Sequence, residues 1–299
     1  MRHRLTLGAL AIVLGATTAS AGPLRDKLLE RRAARQAESS NTASTAQPSG
    51  RVLRDIPYGS DPRQRFDVHL PTQATTNAPV IFMVHGGGWR TGGKEEKAVV
   101  ENKVPYFTQR GYVFITVNYR MLPDADPLVQ AQDVALALAT AQEKAATWGA
   151  DARRFVLMGH SAGAHLVALL SAQPALAPRA HWLGTVALDS GALDVPQIME
   201  HRHLPLYDQA FGSDPAFWRQ VSPLHVLQPG AHPMLLVCST ERRESCAQAH
   251  EFAARLKATG ARGQVLEEAK SHREINLQLG SDAAYTQAVQ GFIDSLPAS

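Results

Sequence analysis

Residues 155–170 read FVLMGHSAGAHLVALL, and this stretch decides how the rest of the chain is interpreted. Its first four residues are apolar and typical of a buried strand, and the residues from Ala162 onward have helical composition. Between them, Gly159–Gly163 fits the pattern G-x-S-x-G. The pentapeptide alone is common by chance, but between a strand and a helix it places a serine hydroxyl on a tight, exposed turn. We therefore predict that Ser161 is a nucleophile, with the positive end of a helix dipole beside it.

Strand-like and helix-like patterns alternate along the chain from Arg51 onward. Seven short apolar segments are predicted strands: 65–70, 79–84, 112–117, 154–158, 184–188, 233–238 and 264–268. Three longer segments are predicted helices: 127–148, 161–173 and 247–260. Continuously apolar strands separated by helices are typical of parallel sheets that are buried on both faces. The predicted fold class is α/β, with a mostly parallel central sheet flanked by helices.

The N-terminus has the features of an export signal. Residues 1–21 combine a basic start, an apolar run and an A-x-A cleavage site, which predicts a signal peptide and a periplasmic or secreted protein. An uncleaved membrane anchor is the alternative, but the apolar run is short for a span. Residues 22–50 form a basic segment followed by a Ser/Thr/Ala/Pro-rich flexible linker. The folded domain is predicted to occupy residues 51–299.

Composition limits the classes of partner. The chain has 299 residues, 44% of them hydrophobic and 19% charged, and a net charge of +3, so nothing in it calls for a nucleic-acid partner. Residues 191–232 contain five prolines and interrupt the alternating pattern. We predict that this segment is a small cap-like excursion on the substrate side of the sheet.

The chain has two cysteines, Cys238 and Cys246. In an oxidising compartment a pair so close in sequence is a candidate disulfide, and two free buried thiols are the alternative. No histidine cluster accompanies the cysteines, so a zinc site is not expected.

A serine nucleophile needs a base, and the base needs an acid to orient it. His272 lies in a loop beyond the last predicted strand, the position expected for the base, although it could also be a surface histidine. The loop after strand 233–238 offers Glu241 and Glu244 as acids. Either glutamate could instead form a surface ion pair with a neighbouring arginine.

The sequence HGGGW at residues 85–89 follows the strand that precedes the first crossover. Three glycines in a row suggest unusual backbone angles or the close approach of another group, although a flexible surface turn is the alternative. We predict that the amides of Gly87 and Gly88, together with that of Ala162, form an oxyanion hole.

Together these motifs resemble the α/β-hydrolase superfamily, in particular its carboxylesterase branch with HGGxW and GHSAG motifs. That branch includes hormone-sensitive-lipase-like and feruloyl-esterase-like enzymes and kynurenine formamidases. The resemblance extends from about Tyr58 to the C-terminus. It implies that Ser161 is the nucleophile and His272 the base, and that the oxyanion amides belong to Gly87, Gly88 and Ala162.

The resemblance does not settle the acid. Counting back from the helix around Phe252 suggests Glu241, whereas the spacing to the second cysteine in similar sequences favours Glu244, which is our prediction. The implied activity is hydrolysis of small or medium carboxylic esters through an acyl-enzyme, with no metal, cofactor or stable membrane insertion. An amidase of the arylformamidase type is the alternative within enzymes. A non-catalytic binding module is the alternative outside them.

Overall fold

Eight strands form one sheet in the computed structural model, which describes residues 50–73 and 75–297. The strands are β1 Val52–Pro57, β2 Arg65–His69, β3 Ala78–Val84, β4 Val113–Val117, β5 Ala150–His160, β6 Gly184–Leu188, β7 Met234–Ser239 and β8 Gly263–Glu268. Their order across the sheet is β1-β2-β4-β3-β5-β6-β7-β8. Strands β1 and β2 pair antiparallel to their neighbours, and every pair from β4 to β8 is parallel. The signal peptide predicted at 1–21 and nearly all of the segment 22–50 lie outside the described residues.

Eleven α-helices occur in the described part of the chain. They are α1 Lys97–Val100, α2 Lys103–Gln109, α3 Pro127–Lys144, α4 Ala162–Ala172, α5 Val195–Met199, α6 Pro205–Phe211, α7 Pro215–Gln220, α8 Pro223–Val226, α9 Arg243–Ala258, α10 His272–Gln278 and α11 Ala283–Asp294. None of these helices is long and apolar enough to cross a membrane.

The central strands are buried on both faces, as their continuous apolar sequences predict. In β3, Val80, Phe82 and Val84 pack into a core with residues of α3 and α4. The intervening Ile81 and Met83 pack on the other face with residues of α2, α10 and α11. Successive strand side chains point to opposite sheet faces, so one apolar run supplies both cores. The mostly parallel α/β sheet is confirmed, and each of the seven predicted strands coincides with an observed one.

The segment 191–232 contains four short helices, α5 to α8. Each has a proline in its first turn, where the missing N–H costs no hydrogen bond. Four of the five prolines that interrupt the strand–helix pattern therefore start helices here. Helix α6 packs against the glycine loop after β3, since the ring of Phe211 lies 4.9 Å from that of Trp89.

The carboxyl ends of parallel strands meet at one edge of the sheet. The glycine loop follows β3, Ser161 follows β5, and Asp189 directly follows β6. Arg242 follows β7, and His272 begins α10 after β8. This edge is where open α/β sheets bind ligands.

Candidate active site

Ser161 occupies a strained turn between β5 and α4. Its φ and ψ are 56° and −118°, outside the helical and extended regions. The flanking glycines allow this turn to close: a Cβ on Gly163 would lie 2.3 Å from the carbonyl oxygen of Val84, and one on Gly159 would lie 2.4 Å from that of Gly163. The G-x-S-x-G pattern is therefore a packing requirement. Non-glycine residues in such backbone conformations persist where the surrounding structure enforces them, often at functional sites.

The loop after β3 turns sharply at Gly87. Its φ is +118°, and its carbonyl oxygen accepts hydrogen bonds from the amides of Arg90 and Thr91. Within residues 50–73 and 75–297, the amides of Gly87 and Gly88 donate to no protein acceptor. Unpaired amides in a loop that borders the serine are suited to a developing oxyanion. The oxyanion role of Gly87, Gly88 and Ala162 stays a prediction.

Two aromatic side chains fix the shape of this loop. Trp89 is buried, and its indole N–H donates to Nδ1 of His165 at 3.1 Å. The ring of His85 stacks on Tyr119 with centroids 4.5 Å apart, and the hydroxyl of Tyr119 donates to the carbonyl oxygen of His85. Burial lowers the pKa of His85 to about 4, so this imidazole is neutral at pH 7. His85 and Trp89 are therefore structural.

His272 is the first residue of α10. Ser271 caps that helix in a capping box with Glu274, which fixes where the helix begins. The ring of His160 lies 4.5 Å from that of His272, and His160 Nε2 donates to the carbonyl oxygen of His272 at 2.9 Å. Burial and, to a smaller extent, the neighbouring His272 lower the pKa of His160 to about 3. A neutral imidazole thus braces the backbone of His272.

The predicted nucleophile, the predicted base and the glycine loop share one cavity of about 460 Å³. It is lined by Gly86, Gly87, Gly88, Glu96, Lys97, Ala98, His160, Ser161, His272, Arg273 and Asn276. A groove of about 650 Å³ beside α2 and α11 is larger, but its lining includes none of these residues. This convergence of chemistry identifies the smaller cavity as the candidate active site.

The acid that faces His272 is Asp189. Its Oδ2 lies 2.5 Å from His272 Nδ1, the ring nitrogen that a catalytic acid must hold. Glu241 and Glu244 are exposed, and neither makes a hydrogen bond with His272 within the described residues. Glu244 lies in the first turn of α9, on its solvent side. The prediction that a glutamate orients His272 is therefore corrected to Asp189.

Asp189 is fully buried and satisfied by four partners. Its Oδ1 accepts from the amide of Ser239 and the hydroxyl of Ser245, at 2.9 and 2.5 Å. Its Oδ2 faces His272 and Arg242, whose Nη1 lies 2.6 Å away. Burial alone would raise the pKa of this carboxyl, but the hydrogen bond with His272, the Arg242 charge and the two serines hold the pKa well below its usual range. Asp189 is therefore a carboxylate at neutral pH.

A sequence signal for Asp189 did exist. The residue directly follows the apolar strand GTVAL, so it had to lie at the same sheet edge as Ser161. The predicted acids, Glu241 and Glu244, both follow β7. The acid follows the strand before it.

Cys238 and Cys246 form a disulfide, as predicted. The bond joins the end of β7 to the first turns of α9 and closes the loop that contains Arg242 and Ser245. Both residues contact Asp189, so the disulfide braces the partners of the acid.

One cluster of carboxylates outside the site has the spacing of a metal site. Oxygens of Asp55, Asp67 and Glu95 lie within 4.8 Å of one another. The buried Lys94 ammonium lies 3.0, 2.9 and 2.9 Å from them. The Lys94 ammonium already pairs with all three carboxylates, and we assign no metal to the cluster.

The sheet order, the strained serine after β5 and the histidine after β8 define an α/β-hydrolase fold. Residues 66–177 match the family model described as BD-FAE. A solved carbohydrate esterase from gut microbiota superposes with a TM-score of 0.72 at 17% identity, covering 83% of this chain and 96% of that one. The fold and the resemblance to the esterase branch are confirmed.

Curated relatives include two kinds of hydrolase. A probable isoprenylcysteine alpha-carbonyl methylesterase, ICMEL1, of Oryza sativa subsp. japonica is 33% identical over 120 residues, which cover 40% of this chain and 28% of the relative. The kynurenine formamidase of Danio rerio is 32% identical over 120 residues, covering 40% of this chain and 38% of the relative. The match thus spans about a third of the length of these relatives.

Proposed function

We propose that this protein is a serine carboxylesterase that cleaves small or medium esters through an acyl-enzyme. Ser161 is the nucleophile, His272 the general base and Asp189 the acid that orients it. The amides of Gly87, Gly88 and Ala162 bind the oxyanion. The observation that carries the proposal is the buried Asp189 carboxylate on His272 Nδ1, in the same site as a strained serine and a loop with free amides.

The reaction has two halves. The Asp189 contact keeps the proton on His272 Nδ1, so Nε2 is free to accept the proton of Ser161 as its oxygen attacks the ester carbonyl. The tetrahedral intermediate places its negative oxygen at the loop amides, and it collapses as His272 returns the proton to the departing alcohol. Water then attacks the acyl-enzyme with the same base, which releases the acid and restores Ser161.

Covalent labelling tests the nucleophile. The wild-type protein should react with a fluorophosphonate probe and hydrolyse p-nitrophenyl esters of graded chain length. Ser161→Ala should lose both properties while its circular dichroism and melting temperature stay unchanged. A folded wild-type protein that neither takes up the probe nor hydrolyses any ester of the series would refute the proposal.

An amidase of the arylformamidase type is the second candidate, and the similarity to a kynurenine formamidase favours it. The same triad cleaves esters and amides, so a substrate panel must decide. N-formyl aryl amides and p-nitrophenyl esters should be compared by kcat/KM. A preference for the formyl amide by tenfold or more would select the amidase. A non-catalytic binding module remains the outcome if Ser161 takes no label.

We also propose that the protein is exported to the periplasm or secreted. The signal-like residues 1–21 and the Cys238–Cys246 disulfide support this, since disulfides persist in oxidising compartments. Fractionation of cells that express the full chain tests it. The expected product lies outside the cytoplasm and begins near Gly22, whereas an intact chain in the cytoplasm would contradict export.

A further inference from the structure

We propose that Arg242 is a positioning residue of the active site, which holds the Asp189 carboxylate on His272 and offsets its charge. The inference rests on the esterase function proposed above and adds a charged residue to its triad.

Arg242 contacts both partners of the acid–base pair. Its Nη1 lies 2.6 Å from Asp189 Oδ2 and 2.8 Å from His272 Nδ1. A ring nitrogen has one in-plane position, and on His272 Nδ1 it is filled by the proton that Asp189 accepts. Arg242 therefore acts on the imidazole through its charge and its hold on Asp189. A charged N–H to a buried carboxylate is among the stronger hydrogen bonds in proteins.

The position of Arg242 is defined from three sides. The disulfide closes the loop that carries it, and its amide donates to the carbonyl oxygen of Ser239 at 3.0 Å. On the third side lies Gly191, where a Cβ would be 2.6 Å from Arg242 Nη2. The absence of a side chain at Gly191 leaves the space that the guanidinium occupies. The arginine side chain is 32% exposed, so replacing it does not open the core.

The charge of Arg242 matters because His272 must be neutral before it can take a proton. A buried carboxylate alone would favour the imidazolium already in the free enzyme. A guanidinium bound to that carboxylate offsets this effect. Other titratable or charged groups around the pair include His160 at the end of β5, Glu96 and Lys97 at the cavity rim, Lys103 close to His160, Tyr207 of α6 near Arg242 and Asp189, and Arg273 and Glu274 on α10. None of them changes in the variants below.

The test compares Arg242→Met, Arg242→Lys and Gly191→Ala, with Arg243→Met as the matched control. Arg243 is the exposed neighbour of Arg242. The readout is kcat/KM for p-nitrophenyl butyrate from pH 5 to 9, with melting curves for each variant. Arg242→Met should lower the plateau 10- to 100-fold and move the acid limb upward by about one pH unit. Arg242→Lys should lower the plateau and leave the acid limb in place, because lysine keeps the charge but does not reproduce the planar guanidinium whose Nη1 contacts both Asp189 and His272.

Gly191→Ala should displace Arg242 while leaving it in the chain, and lower kcat/KM about three- to tenfold in a folded protein. If Arg242→Met does not fold, Gly191→Ala tests the role of Arg242 in its place. The inference is overturned if the Arg242→Met profile coincides with that of Arg243→Met, or if its plateau falls while the acid limb does not move. It fails independently of the proposed function, which is lost if the folded wild type neither takes up the probe nor hydrolyses any ester, or if Ser161→Ala retains both properties.

Discussion

The Asp189 side chain supplies the negative charge that holds His272 in the productive tautomer, and asparagine is the replacement that isolates this charge. Asparagine keeps the shape, but its amide can donate to Nδ1 and leave the proton on Nε2, where it blocks proton transfer from Ser161. We expect Asp189→Asn to lower kcat by about 10³- to 10⁴-fold with p-nitrophenyl butyrate as substrate.

Glu244→Gln and Glu241→Gln are the matched controls, since both glutamates are exposed and make no hydrogen bond with His272 in the described chain. Both should keep kcat within about twofold of wild type. Loss of activity in either, with an active Asp189→Asn, would return the acid to the loop after β7.

The same residues show what a sequence does and does not reveal. Ser161 was predictable because its glycines and its strand–helix frame are local in sequence, and His272 because it follows the last strand. Asp189 lies 83 positions from His272. Its place at the end of the predicted strand 184–188 indicates the right sheet edge, but its pairing with His272 depends on which strands are neighbours in the sheet, and a one-dimensional pattern does not encode that order.

The backbone geometry of the glycine loop after β3 allows a direct test of the proposed oxyanion hole. A Cβ on Gly87 would lie 2.0 Å from the carbonyl oxygen of Thr91, at a φ of +118° that disfavours any side chain. Gly87→Ala should therefore displace the loop amides and lower kcat about 10²- to 10³-fold with a small effect on KM.

Gly93→Ala is the control for this loop, because a Cβ there meets only the side chain of Asn118 at an ordinary 3.7 Å. Its kcat should match that of wild type. Equal losses in the two variants would show that the loop tolerates no change anywhere, and the oxyanion assignment would lose its support.

The disulfide ties the end of β7 to α9 around Arg242 and Ser245. Replacing both cysteines by alanine should lower the free energy of unfolding by about 2–3 kcal/mol, since the bond closes a short loop. It should also lower kcat/KM, because two partners of Asp189 lie in that loop. Urea unfolding and steady-state kinetics, with and without dithiothreitol, measure both effects. Reductant should lower the stability and kcat/KM of the wild type and leave those of the double variant unchanged. A fully reduced wild type with unchanged stability and kcat/KM would contradict the proposed role of the disulfide.

Elements differed in how well the sequence predicted them. Strands β2 to β8 were found because their apolar runs are buried by the sheet. Strand β1 was missed because VLRDIP is only half-buried and pairs at the sheet edge. Helix α10 was missed because it is short and is defined by the Ser271 cap, which a search for apolar periodicity does not detect.

Across the molecule, several histidines are buried in the neutral form. Burial lowers the pKa of His69, His85, His165 and His232 to about 4 and that of His160 to about 3. In the unfolded chain a histidine titrates near 6.5, so between pH 6.5 and 4 the unfolded state binds more protons. Stability therefore falls as pH drops below 6.5, by roughly 1 kcal/mol per pH unit for each histidine. Together the five groups should make the free energy of unfolding fall steeply as the pH drops from 6.5 towards 5.

His232→Phe tests this linkage with little change of packing, because His232 stacks on Trp182 with centroids 3.9 Å apart and phenylalanine can keep that stack. The free energy of unfolding is measured by urea titration between pH 5 and 6.5. Its slope against pH should fall by the amount that corresponds to about one bound proton. The same measurement on His201→Gln, an exposed histidine, should reproduce the wild-type slope. A wild type as stable at pH 5 as at pH 7 would contradict the prediction.

Lys103 extends the pH dependence to the alkaline side. Its ammonium is fully buried and donates to the carbonyl oxygens of Ala98 and Asn276 and to Asn276 Oδ1, which joins α1 and α2 to the helix of His272. Burial lowers the pKa of Lys103 to about 7, whereas a lysine in the unfolded chain titrates near 10.4. Between these values the unfolded state holds the extra proton, so stability should rise with pH, by on the order of 2 kcal/mol from pH 7.5 to 9.5.

The free energy of unfolding of Lys103→Met, measured by urea titration, should not show this rise over the same range, since methionine has no proton to lose. A flat wild-type profile would mean that the three oxygens stabilise the ammonium enough to cancel the cost of burying it.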